Sequence, residues 1–237
     1  MGGFFPKLSV SNYPEMLAKI AWSFFGLNCV LLYITRVFVP PIDSFLSYYE
    51  KYLEKVPYFS ELKSFNVLIA VALAVVVSYA FRLHDKLSDI LFIRRDFDIY
   101  HILQPLIILC NVTVSDAIYD KLLIRRGDVM QRVFYQYASS AKSATIVDKH
   151  DIITALTNWS WFWIILESVF QLWAFSFVFY AFAARDVALY LLVIGIALLL
   201  VARYIYRSAI TIVLREVRQI SNTPNCCKEV KDAINAL

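Results

Sequence analysis

The stretch FNVLIAVALAVVVSYAF, Phe65 to Phe81, runs without a charge between Lys63 and Arg82. At about 1.5 Å per residue such a helix reaches ~26 Å, close to the ~30 Å hydrocarbon core of a bilayer. It predicts a helix whose solvent is lipid, and three further stretches extend the pattern. Leu17 to about Val39 is apolar apart from Lys19, Asn28 and Arg36, and both charges lie near the ends, where long side chains reach polar surroundings. Pro40-Pro41 is expected to stop that helix. A third stretch begins in the cluster Trp159, Trp161, Phe162 and Trp163, rings that favour the headgroup boundary, and continues to about Ala183. A fourth begins near Val187, so Arg185-Asp186 is expected as the two-residue turn of a tight antiparallel hairpin.

The composition agrees with lipid as solvent. Hydrophobic residues make up 60% of the chain and charged residues 18%, against about a quarter charged in a soluble domain. With 5 Gly and 7 Pro the chain reads as densely helical. The expected fold is all-α, a four-helix transmembrane bundle with a small helical cytoplasmic domain. Its segments are 1–81, a transmembrane hairpin with an outer amphipathic loop; 82–157, the cytoplasmic helical domain; 158–218, a second hairpin with a helical extension; and 219–237, a tail.

Lysines and arginines set the expected orientation. The N-terminal segment, the stretch from Arg82 to Thr157 and the tail from Arg203 carry 2, 10 and 6, against 4 from Arg36 through Lys63 and 1 in the last turn. That distribution places both termini and the central domain on the cytoplasmic side of the inner (plasma) membrane. In the outer loop Phe45, Tyr49, Tyr52 and Leu53 recur at helical spacing. Two placements fit them: an amphipathic helix on the outer membrane surface, or a cap packed over the helix ends. On the other side, FRLHDKLSDILFIRR is expected to prolong the second span as a stalk. ILQPLIILCNV, Ile102 to Val112, is too short to cross a bilayer and is read as a core helix. Further helices are expected at Val114 to Ile124, Val129 to Ser139 and Asp148 to Leu156, joined by RRGD and by the stretch 139–145. The last span, free of Pro from Val187 through Arg218, predicts one helix of about 48 Å. Thr223-Pro224 then starts a short terminal helix.

The chemistry concentrates at a few positions. Glu167 stands about 9 Å into the third span, with Ser160 and Gln171 within about 40° of the same face. A carboxylate there is expensive and must face a bundle interior, a partner or water. Its functional reading is a pore lining or a proton relay with Lys19 or Arg36. Its structural reading is an interhelical hydrogen bond, for example to Asn28. A second group, Arg94, Arg95, Arg125, Arg126 and Arg132 with Arg203, Arg207 and Arg218 on the last helix, suits phosphate, nucleotide, oligonucleotide or a partner protein. The alternative for these arginines is that they bind lipid headgroups or pair with Asp96, Asp98 and Asp128. His84, Asp85 and Asp89 offer metal-ligand types at one helical turn but match no metal motif, and the plainer reading is a solvated face of the stalk. Cys29, Cys110, Cys226 and Cys227 lack metal-ligand spacing and suit a reducing compartment. No nucleophile-elbow, phosphate-loop, dinucleotide or redox dithiol motif occurs, so neither enzymatic activity nor a cofactor is expected.

The stretch HDKLSDILFIRRDFDIYHILQPL, His84 to Leu106, between two membrane hairpins, together with the arginine-bearing last helix, resembles small multi-span effectors of bacterial anti-phage defence operons. The likeness is of architecture over most of the chain and covers both the Hailong-type channel and the Kiwa-type membrane subunit. It implies a pore held or triggered by a soluble nucleotide-handling partner; because four helices of one protomer barely enclose water, a channel is expected as a homo-oligomer, a tetramer or pentamer around an axis. Three functions follow as expectations. The chain is an oligomeric channel gated from the cytoplasm, a non-conducting anchor recruiting a soluble partner, or, last, a transporter or membrane enzyme using His101, Asp98 and Glu167.

Overall fold

A computed structural model of the chain describes residues 9–53, 55, 65–77, 83–138 and 146–237, and the described residues form helices and turns with no strand. Three helices, α1 (Tyr13–Phe38), α9 (Lys149–Ala181) and α10 (Arg185–Ser221), are long and apolar enough to cross a membrane, which fits a membrane protein. Three such spans are seen where the sequence predicts four. The stretch from Phe65 contributes α3 (Phe65–Val75), 11 residues long. Its last part, 78–82, lies outside the described residues, as do 56–64 of the outer loop and the connection 139–145.

The chain divides into two compact units, one of Met1–Leu17, Asp85–Ser160 and Tyr204–Leu237, the other of Ala18–His84 and Trp161–Arg203. The second holds the apolar hairpin. Its core joins Leu31 and Val39 from the end of α1, Leu172 and Phe179 of α9, and Ala188 and Leu191 of α10. The turn between α9 and α10 falls earlier than Arg185-Asp186. The Ala184 N–H donates to the Phe179 carbonyl and the Ala183 N–H to that of Tyr180, with Ala183 left-handed at φ 64°. This double hydrogen bond closes α9, and Arg185 and Asp186 already belong to α10, where the acid suits the positive end of the helix.

Pro40 does not merely stop α1. It starts α2 (Pro40–Leu53) after a single residue, Val39, because a proline in a first turn sacrifices no helical hydrogen bond. At the end of α1, Arg36 donates to Asp43 at 2.6 Å, to Ser47 at 2.8 Å and to both oxygens of Glu50 at 2.8 and 3.0 Å. All three acceptors lie on α2.

The other unit is a helical bundle. Its core takes Phe97, Ile99, Ile102, Leu103, Leu106 and Ile107 from one helical run, Leu122, Val129 and Val133 from the next, and Val213, Val217 and Ile220 from α10. α4 (Leu83–Ile90) ends at Phe92, left-handed at φ 54°. α5 (Ile93–Asp96) passes into a π-helical segment, Phe97–Leu103, and then into α6 (Gln104–Leu109). Pro105 explains the widened turn. A proline inside a helix lacks an N–H and collides with the carbonyl four residues back, and here the Gln104 N–H reaches five residues back to Ile99. α7 (Asp116–Ile124) and α8 (Arg126–Met130) follow, the latter running into a second π-helical segment, Gln131–Tyr135. The RRGD connection thus shrinks to Arg125. Helix Asp148 to Leu156 and the third span are one helix, α9, since neither Gly nor Pro interrupts Lys149–Ala181. The terminal helix α11 (Pro224–Asn235) starts where Thr223-Pro224 predicts. It is joined to the end of α6 by a Cys110–Cys227 disulfide, at odds with the expectation of reduced cysteines.

Candidate functional site

Within the apolar unit, α9 lines up Trp163, Glu167 and Gln171 at four-residue intervals, which puts them on one helix face. Glu167 is only 3% exposed. Its partner is His84, whose Nδ1 lies 3.3 Å from Glu167 Oε1. The imidazole is seated edge-on against the Trp163 ring, centroids 4.2 Å apart. One turn further, Gln171 is 6% exposed, and among the described residues neither its amide nitrogen nor its amide oxygen has a hydrogen-bond partner. The Trp173 indole nitrogen is likewise buried without an acceptor. Each such orphan group costs about 1–3 kcal/mol in an apolar interior. The arrangement is one satisfied carboxylate followed by an unsatisfied amide, on a single face, inside a helix long enough to cross a bilayer.

The partners that the sequence suggests for Glu167 are engaged elsewhere. Arg36 is bound by α2, Lys19 lies over the Trp161 ring at 4.2 Å, and the Asn28 amide donates to the Phe24 carbonyl at 3.0 Å. His84 was legible only as a solvated or metal-ligating stalk residue. Among the described residues no group of three or more His, Cys, Asp or Glu could hold a metal ion. A signal for His84 exists in retrospect: it stands three residues beyond the apolar stretch ending at Phe81, where a side chain can reach a carboxylate in a neighbouring span. Ser160 belongs to the other unit, where it is fully buried and its hydroxyl has no partner.

Three of the arginines are paired with acids. Arg126 pairs with Asp98 at 3.2 Å, Arg125 with Asp128 at 3.6 Å, and Arg95 with Asp96 at 3.0 Å while stacking over the Phe92 ring at 4.0 Å. Arg132, Arg203, Arg207 and Arg218 are exposed. Arg215, which the sequence reading passed over, pairs with Asp151 at 3.1 Å. The buried member of this set is Asp98. Burial pushes its carboxyl up to about 6, against the opposing pull of Arg126 and Arg94. Tyr135 shares the pocket, and burial raises its phenol. His101 packs against Phe97 and Tyr206 at ring distances of 5.5 and 6.1 Å, and burial lowers its pKa. Acid pairing, the plainer reading of these arginines, therefore accounts for Arg95, Arg125 and Arg126.

No curated protein and no solved structure matches the chain. A family model matches residues 12–235, nearly the full length, and the chain belongs to the YmfE protein family.

Proposed function

We propose that the protein is a membrane effector that conducts ions, with the His84–Glu167 pair as its closed gate. The single observation that carries this reading is the polar face of α9: a buried carboxylate held by one histidine, followed by Gln171 with no partner at either amide atom among the described residues. Orphaned polar groups in a lipid-solvated bundle are tolerated where water or an ion visits. Glu167 is covered within one chain, so we read the arrangement as closed, and opening as separation of His84 from Glu167. Four helices of one protomer barely enclose water, so the conducting form is a homo-oligomer, a tetramer or pentamer around an axis. The stretch from Phe65 to Phe81 completes a four-span topology with both termini and the helical unit on the cytoplasmic side, where a soluble partner or a nucleotide trigger acts, in the manner of anti-phage effectors. Reconstitution tests it. Glu167→Gln in liposomes is expected to change ion flux while leaving expression and assembly intact, and unchanged flux counts against the channel.

One feature points the other way on orientation. The Cys110–Cys227 bridge suits an oxidising compartment, whereas the lysine and arginine distribution favours the cytoplasm. The helical unit is proposed on the cytoplasmic side, where this bridge opens to two thiols. The alternative, a non-conducting anchor, draws on Ile108 and Ile124, which are 72% and 84% exposed in the helical unit and suit a docked protein. Co-purification of a soluble partner without any leak from liposomes would favour it.

A further inference from the structure

We infer that α2 is an interfacial helix whose aromatic face, Phe45, Tyr48, Tyr49 and Tyr52, lies against the lipid of the bilayer that α1 enters. The inference is independent of any conduction and rests only on α1 crossing a membrane. At 100° per residue, the three α2 residues that accept from Arg36, namely Asp43, Ser47 and Glu50, centre about 180° away from the four aromatic ones. α2 thus has two opposed faces. Arg36 fixes the first to the protein with four hydrogen bonds. On the flank between them Leu46 is buried and Ile42 packs on the apolar core. The aromatic face is exposed at every one of its four residues.

Among the described residues these rings stack on one another along α2 and stay exposed. Phe45 and Tyr49 stand 4.9 Å apart, Tyr48 and Tyr49 5.5 Å, and Tyr48 and Tyr52 5.1 Å, with a hydroxyl to hydroxyl contact of 3.4 Å between the last two. Lys55 places its ammonium 5.4 Å from the Tyr52 ring. Rings with polar tips beside a cation are the side chains that settle at the headgroup layer. The connection decides the occupant. Only Val39 separates α2 from the end of a helix long and apolar enough to span a membrane, so α2 has no length of chain with which to leave the membrane boundary. The clamp from Arg36 then holds the helix with its aromatic side outward, where lipid is the neighbouring material.

The experiment attaches an environment-sensitive fluorophore to Tyr49→Cys, and separately to Val30→Cys on the exposed face of α1, in full-length chains carrying Cys29→Ser and Cys226→Ser with the Cys110–Cys227 bridge oxidised before labelling, reconstituted in vesicles of phosphatidylethanolamine and phosphatidylglycerol. Lipids bearing a nitroxide near the headgroup are expected to quench most of the Tyr49→Cys emission, and iodide in the buffer to quench little. Quenching by iodide instead places α2 in water and overturns the inference. Protection from both quenchers places a second copy or a protein contact on the face and overturns it equally. If the Val30→Cys control escapes nitroxides along the acyl chain, the membrane placement of α1 fails, and that failure is distinguishable from failure of the α2 assignment alone.

Discussion

Replacing His84 by alanine removes the one hydrogen-bonding group seen at Glu167 Oε1, 3.3 Å away, and leaves a carboxylate that is 3% exposed without it. A hydrogen bond to a charged group contributes about 1.5–3 kcal/mol when buried, against about 0–1 kcal/mol for an exposed ion pair. The burial of Glu167 puts this contact in the first class, so His84→Ala is expected to destabilise by about 2 kcal/mol, roughly 30-fold in the unfolding equilibrium. Glu167→Gln should cost less, because a neutral amide needs less from its partner. The double variant isolates the contact: its destabilisation should fall short of the sum of the two single losses by most of that 2 kcal/mol. Unfolding in mixed micelles is readable by tryptophan emission, since Trp163 lies 4.2 Å from the His84 ring. The same variants test the gate. His84→Ala should leak in liposomes, and adding Glu167→Gln should remove the leak. A coupling energy below about 0.5 kcal/mol, the usual error of additivity, would mean that the pair does not hold α9, and a tight His84→Ala vesicle would mean that it is no gate.

Four further outcomes follow from particular contacts. Asp98 is easier to protonate folded than unfolded, because burial lifts its carboxyl from 3.8 to about 6. Its contribution favours folding below about pH 4 and is lost as pH rises to about 6, a span worth roughly 3 kcal/mol at most, so pH-dependent melting should flatten across that window in Asp98→Asn. Opening the Cys110–Cys227 bridge, which spans 117 residues of sequence, with a dithiol or by Cys110→Ser should lower the stability of the helical unit by about 3–5 kcal/mol; trapping its thiols in intact cells also reports the compartment. A Cβ at Gly195 would lie 2.9 Å from Trp173 Cδ1, so Gly195→Val should lose about 1–3 kcal/mol by overpacking, with Trp173→Leu restoring part of it in a thermal melt. Ala183 holds φ 64° at the end of α9, and Ala183→Gly should raise the melting temperature by relieving about 1 kcal/mol of left-handed strain.

The spans were legible where physics is one-dimensional. Hydrophobic length alone reads α1, α9 and α10, and the absence of Pro reads α10 through to its polar end. What sequence reasoning missed depends on competition between local signals. The RRGD run looks like a loop because of its glycine, yet Val129 and Met130 are buried and draw Arg126 to Asp128 into α8. Pro105 looks like a break, but a π-helical turn absorbs it. At the site, Glu167 and Gln171 stood out because a polar face in a span is conspicuous. His84 did not, since its partner is 83 residues away and no local pattern encodes such a pairing. The disulfide was invisible for the same reason, since spacing does not tell which of Cys226 and Cys227 faces Cys110.

Buried polar groups of the apolar unit fall into two kinds, those bonded to the scaffold and those left without a partner. Asn28, Thr35 and Ser176 are buried polar residues that bond to main-chain carbonyls at 3.0, 2.7 and 2.7 Å, so each is tied to a helix backbone. Arg36 is answered by three α2 side chains. These groups stiffen the fold, and replacing them changes stability. Gln171 is different, because an amide has two donors and an acceptor and none is used. Leucine there would remove the orphan groups, a gain of about 1–3 kcal/mol. In the channel proposed above, an amide kept at that penalty, one turn beyond a histidine-held carboxylate, is there for water or an ion admitted when His84 lets go of Glu167.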